Sequence, residues 1–98
     1  MNTPLSDPNL LKTKAFINGE WVDSCSAETF AVNNPANLEM VATVSKCGAE
    51  ETKAAIAAAH HAFSTWSKLA PKKRSELIEV WGDLIVAHAD DLAAILTA

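Results

Sequence analysis

Glycine is scarce in this chain. Only Gly19, Gly48 and Gly82 occur among 98 residues, too far apart to write G-x-G-x-x-G or G-x-x-x-x-G-K, so no phosphate-cradling loop is expected. Cysteine is scarcer still, with Cys25 and Cys47 alone. Two cysteines behind a start that has no apolar run and is not Arg-rich make no disulfide framework. They read as free thiols of a reducing cytoplasm. No stretch of about 18 uninterrupted apolar residues exists, so no helix is expected to span a bilayer. Basic residues are also in deficit, 8 against 12 acids for a formal charge of −4. The single basic run, Lys72-Lys73-Arg74, is followed at once by Glu76 and Glu79. That balance argues against nucleic acid as a partner, because phosphate binding rests on clustered cations. Disorder is excluded from the other side, by a hydrophobic fraction of 49%.

What is present divides near Gly48. Residues 1–13 are polar, carry Pro4 and Pro8, and read as an extended arm. Asn18-Gly19 between two short apolar runs is a strong hairpin signal, since both central residues of a type I′ turn need positive φ. Strands are therefore expected at 14–17 and 20–23. The β-prone runs 29–32 and 40–44 flank the turn cluster Asn33-Asn34-Pro35-Ala36-Asn37. Residues 14–47 thus read as a hairpin or small antiparallel meander, which needs a further partner to be stable in water.

The second half, 48–98, reads as two to three helices, which makes the fold class α+β. Gly48 with Glu50-Glu51 suits a helix start, where the dipole favours carboxylates. Ile56, Ala59, Phe63 and Trp66 form one stripe, expected to be buried, on a helix that should stop near Leu69. Pro71 fits the first position of a second helix, with Leu77, Trp81, Leu84 and His88 along its apolar face and Gly82 read as permitting close packing. A third helix starts at Asp90-Asp91, with Leu92, Ile95 and Leu96. It reaches the last residue without a Gly or Asn stop or a basic last turn, and reads as cut rather than finished.

No catalytic constellation is legible. Cys47 precedes a helix start, which favours a thiolate, but Glu50 and Glu51 oppose it; Cys25 lies in a polar turn. His60 and His61 point about 100° apart on a helix and cannot chelate one metal together. His88 reads as packed or capping. Trp21, Trp66 and Trp81 read as anchors for a core or a docking face. The paired acids are explained by the helix dipole. Catalytic, cofactor-binding and metal-binding residues are accordingly expected to be none.

Several segments, in order, resemble the aldehyde dehydrogenase superfamily. Phe16-Ile17-Asn18-Gly19-Glu20-Trp21 resembles its first hairpin, and Asn34-Pro35-Ala36-Asn37 its N-P-A turn. Residues 48–59 resemble its first helix, Ala62-Phe63 through Trp66 the A-F-x-x-W closing that helix, and Pro71 to Arg74 the P-x-x-R opening the next. Trp81, Leu84, His88 and Asp91-Leu92-Ala93 resemble that helix and the entry to the third. Asn9-Leu10-Leu11 and Lys46-Cys47-Gly48-Ala49-Glu50-Glu51-Thr52 most resemble the branch oxidising succinate semialdehyde, with glutarate-semialdehyde oxidisers near.

The resemblance implies that the chain is part of the N-terminal, cofactor-binding portion of such an enzyme, whose members are several times longer. It implies NAD or NADP as cofactor of the whole protein, with none bound by this segment alone. The catalytic cysteine, general-base glutamate, oxyanion asparagine and cofactor-binding lysine of the family have no counterpart here. Val32 and Asn33 match positions whose backbone carbonyls help hold a monovalent cation in some relatives. The implied partners are the rest of the dehydrogenase chain and further copies, as a dimer or tetramer, with neither nucleic acid nor membrane. From the residues alone, a non-catalytic helical interaction module is the competing expectation.

Overall fold

Asn18 and Gly19 both take positive φ, 52° and 78°, the pair of left-handed residues that a type I′ turn requires. That turn joins β1 (Ala15–Ile17) to β2 (Glu20–Val22), with Phe16 opposite Trp21. The two rings meet at 4.9 Å between centroids, and Lys12 Nζ stands 5.1 Å from the Trp21 ring. A ring pair of this kind contributes about 0.5–1.5 kcal/mol beyond area burial. The computed structural model describes residues 4–98. The first three residues of the expected arm lie outside the described residues. The rest of the arm is not extended throughout: Pro8–Leu10 makes one 3₁₀ turn, begun by Asp7, whose Oδ1 accepts from the Asn9 amide at 3.0 Å.

β3 (Thr29–Asn33) and β4 (Met40–Ser45) form a second antiparallel pair. Its turn is built by asparagine side chains. Asn34 Oδ1 accepts from Ala36 N at 2.9 Å and Asn37 Oδ1 from Glu39 N at 3.0 Å. The two hairpins are separate two-stranded sheets and not one continuous meander. The reason lies in the β2–β3 link, which turns away through Ser24 and Ala27 (φ 57°) instead of laying β3 beside β2. One backbone bond, Ser45 N to Thr13 O at 2.9 Å, ties the second hairpin to the approach of the first.

The helices are α1 (Ala49–Trp66), α2 (Pro71–Ala87) and α3 (Ala89–Thr97). α1 ends three residues before the expected Leu69. Lys68 N and Leu69 N bond three residues back, to Thr65 and Trp66, tightening the exit. Pro71 holds Ala70 extended at ψ 143°, so α1 cannot run on. The turn of β1–β2 lies over Ala55, Ala58, Ala59 and Ala62 of α1 across a groove of about 350 Å³.

Among the described residues no apolar side chain is buried. This corrects the expectation of a buried stripe on α1. Alanines of α1 line the groove under the hairpin turn, while Ile56 and Phe63 are 65% and 63% exposed. On α2, Leu77, Trp81 and Leu84 are exposed as well, and Leu96 of α3 is 89% exposed. Gly82 meets no close partner either, since a Cβ there would have nothing within 4 Å. The amphipathic faces exist, but nothing in the described residues covers them. The chain exposes 7584 Å², whereas a globular protein of this mass exposes roughly 5,400 Å². Its radius of gyration is 16.5 Å against about 13 Å for a compact domain of this length. No helix among the described residues is long and apolar enough to cross a membrane.

Because the space beside Gly82 is open, Gly82→Ala should raise the helical content of the free chain. The expected gain for α2 is about 0.5–1 kcal/mol, read by far-ultraviolet circular dichroism through a urea titration. A loss of helix on this substitution would contradict the placement of Gly82.

Candidate functional site

Among the described residues the buried side chains are polar: Ser24, Glu51 and Asp91. Glu51 and Asp91 each stand at the third position of a helix, α1 and α3. Each is the second acid of a pair that sequence reasoning assigned to the helix dipole alone. Their carboxylates do more than that. Glu51 Oε2 accepts from the Gly48 amide at 2.8 Å, the returning half of a capping box, and Oε1 accepts from the amide of Cys25, 26 residues earlier. Asp91 Oδ1 accepts from Ser6 N at 2.8 Å and Oδ2 from Asp7 N at 2.9 Å. One clamp holds the β2–β3 link on the start of α1. The other holds the arm on the start of α3. The signal for the local half of the first was available as Gly48-x-x-Glu51. The remote partners, backbone amides with no side-chain signature, were not.

The clamps shift the acidity of the groups they join. Hydrogen bonds from the amides of Cys25 and then Gly48 hold the Glu51 carboxyl at about 2, down from an ordinary 4.5. The amides of Ser6 and Asp7 lower Asp91 in the same way. The Cys25 thiol moves up, because Glu51 accepts its hydrogen bond and then opposes a negative sulfur. A nucleophilic thiol needs the reverse environment. Cys25 and Cys47 are both free and exposed, and they line one groove of about 280 Å³ beside Glu50, Glu51 and Lys46.

The remaining candidates stay apart. His60 and His61 are exposed on α1, and His88 is half-buried at the α2–α3 junction. Among the described residues no group of three or more His, Cys, Asp or Glu could hold a metal ion. Trp21, Trp66 and Trp81 lie on three different elements, all exposed. Val32 and Asn33 sit at a register shift in the β3–β4 ladder, opposite Ala42 and Met40. Among the described residues one buried side-chain polar atom is left over. Arg74, in the first turn of α2, has its Nε shut off from solvent without a hydrogen-bond acceptor. Such a desolvated, unpaired donor costs about 1–3 kcal/mol.

The Glu51 clamp has a pH signature. A carboxyl with a depressed folded value stabilises the structure in full above its unfolded value, and that contribution fades as pH falls through the folded one. The Cys25 and Gly48 amide resonances should therefore hold from neutrality to 4.5 and move together as pH drops toward about 2. Glu51→Gln should abolish that transition and speed alkylation of Cys25. A Glu51 carboxyl titrating near 4.5 by NMR would contradict the clamp.

Comparison with known proteins agrees with the hairpin-and-helix order. The model of the aldehyde dehydrogenase family matches residues 21–98. A 3-sulfolactaldehyde dehydrogenase of Pseudomonas putida is 47% identical over 94 residues, 96% of this chain and 19% of that protein. An NADP(+) succinate-semialdehyde dehydrogenase of Escherichia coli K12 is 44% identical over 93 residues, 95% of this chain and 19% of that protein. The crystal structure of a succinate-semialdehyde dehydrogenase from Burkholderia pseudomallei superposes with a TM-score of 0.93 at 44% identity. It covers 97% of this chain and 20% of its own. The chain thus spans about one fifth of the length of the relatives it matches, along the whole run from the Asn18-Gly19 hairpin to α3, and it belongs to the aldehyde dehydrogenase family.

Proposed function

We propose that this chain forms the N-terminal portion of an NAD(P)+-dependent aldehyde dehydrogenase. The substrate we assign is a short semialdehyde with an anionic far end, succinate semialdehyde first, oxidised to succinate. The observation that carries the reading is the combination of family membership with apolar faces that nothing in the described residues covers. A binding module complete in itself would bury a core. Two relatives support the substrate class, since their names specify small aldehydes bearing a sulfonate or a carboxylate.

When bound to the whole enzyme, a nicotinamide cofactor would supply the hydride acceptor. This chain's own contribution is scaffold. The clamps at Glu51 and Asp91 fix two loop-to-helix junctions, and α1 and α2 present apolar surface toward the rest of the cofactor-binding domain, of which the arm 1–13, the hairpins 14–47 and the helices 48–98 together form one N-terminal part. The Cys25 thiol is not set up as a nucleophile, because Glu51 accepts its hydrogen bond and opposes a negative sulfur. We place the protein in a reducing cytoplasm, where two exposed free thiols persist, and assign it a homo-oligomeric state, dimer or tetramer.

A hybrid in which this chain replaces the matching first fifth of the Escherichia coli relative tests the reading. The hybrid should reduce NADP+ with succinate semialdehyde, and the free 98-residue chain should give no turnover above a blank. A folded hybrid without activity would sink the reading, as would turnover by the free chain in a preparation clear of host dehydrogenase.

A further inference from the structure

Cys25 and Cys47 stand on opposite sides of the β3–β4 hairpin in the chain, yet both are exposed on one groove of about 280 Å³. Bonds on either side of the two cysteines bring their segments together. Before Cys47, Lys46 N donates to Glu28 O at 2.8 Å, and the Lys46 ammonium stands 3.9 Å from the Glu28 carboxylate. After it, Gly48 N donates to one oxygen of Glu51 while Cys25 N donates to the other. Amides that share one carboxylate lie roughly 5–8 Å apart, and a disulfide joins Cα atoms about 4.4–6.8 Å apart. The Cys25 side is stiffened as well. Ala27 N bonds Ser24 O at 3.0 Å, and the hydroxyl of buried Ser24 donates to Glu28 O at 3.2 Å. The sulfurs themselves are close enough to interact, since a negative Cys47 opposes ionisation of Cys25.

We propose that Cys25 and Cys47 form a reversible disulfide clasp, closed by a low-molecular-weight disulfide, that fastens the β2–β3 link to the start of α1. One protein thiolate attacks a sulfur of the small disulfide, breaks its S–S bond and releases one small thiol. The second protein thiolate then attacks the sulfur now joined to the first, forms the protein S–S bond and releases the other small thiol. Two protein thiols are oxidised, one small disulfide is reduced, and the two thiols formed carry away the two protons. Closure within one chain wins over joining two chains, because the Glu51 and Glu28 bonds already hold the segments together and raise the concentration that each thiol presents to the other. In the reducing compartment assigned above the clasp rests open, and a rise in small disulfides closes it. Once closed, it encircles β3 and β4 in a covalent loop and backs the junction that Glu51 holds.

Equilibrating the full chain with reduced and oxidised glutathione at neutral pH tests the clasp, with thiols trapped by alkylation and products read by intact mass and peptide mapping. The ratio of closed to open chain gives the effective concentration of one thiol toward the other. A flexible loop gives values in the millimolar range. In buffer the value should exceed that of the same chain in concentrated guanidinium chloride by about ten-fold or more, the product being a monomer with Cys25 joined to Cys47. Glu51→Ala should bring the value in buffer down toward the denatured one, because the carboxylate that gathers the two segments is gone. An effective concentration equal in buffer and denaturant overturns the clasp, as does one indifferent to Glu51→Ala. Oxidation that yields only glutathione adducts, or dimers joined between chains, overturns it too.

Discussion

The Glu51 carboxylate, bonded at once to the amides of Gly48 and Cys25, is the contact on which the arrangement of sheet and helix depends. A hydrophobic core ordinarily sets how elements sit on one another. Here no apolar residue is buried among the described residues, so directional bonds take over that work. Glu51 brings the β2–β3 link to α1, and Asp91 brings the arm to α3. Both carboxylates sit where the helix dipole and free amides already favour negative charge. A carboxylate in that position stays ionised well below neutrality, so the clamps persist without surrounding apolar packing.

The elements themselves were legible because their signals are local. Asn18-Gly19 specifies the turn of the first hairpin through backbone φ, and Pro71 specifies where α2 begins through its missing N–H. The Asn-Pro cluster specifies the second turn through side-chain bonds over two residues. Each depends on neighbours within a few positions, and each is found where the sequence places it. The stripe Ile56, Ala59, Phe63, Trp66 shows where such reasoning reaches its limit. Periodicity tells which residues share a face and does not tell what meets that face. Ala59 of that stripe lines the groove under the hairpin turn with Ala55, Ala58 and Ala62, while Ile56 and Phe63 stay exposed.

The clamps show a second limit. A helix-start acid looks the same in sequence whether it faces water or grips a chain 26 or 85 residues away. The remote partners are backbone amides, which carry no residue identity. Family resemblance adds what physical reading of one segment does not contain, namely what the uncovered faces are shaped to meet.

Scanning calorimetry of the free 98-residue chain, alongside its sedimentation, addresses that point most directly. A chain whose apolar faces await a partner should show no cooperative heat-absorption peak and should bind a hydrophobic dye at neutral pH. A single sharp two-state transition from a monomer that binds no dye would mean that the chain carries a core of its own, and would contradict the account.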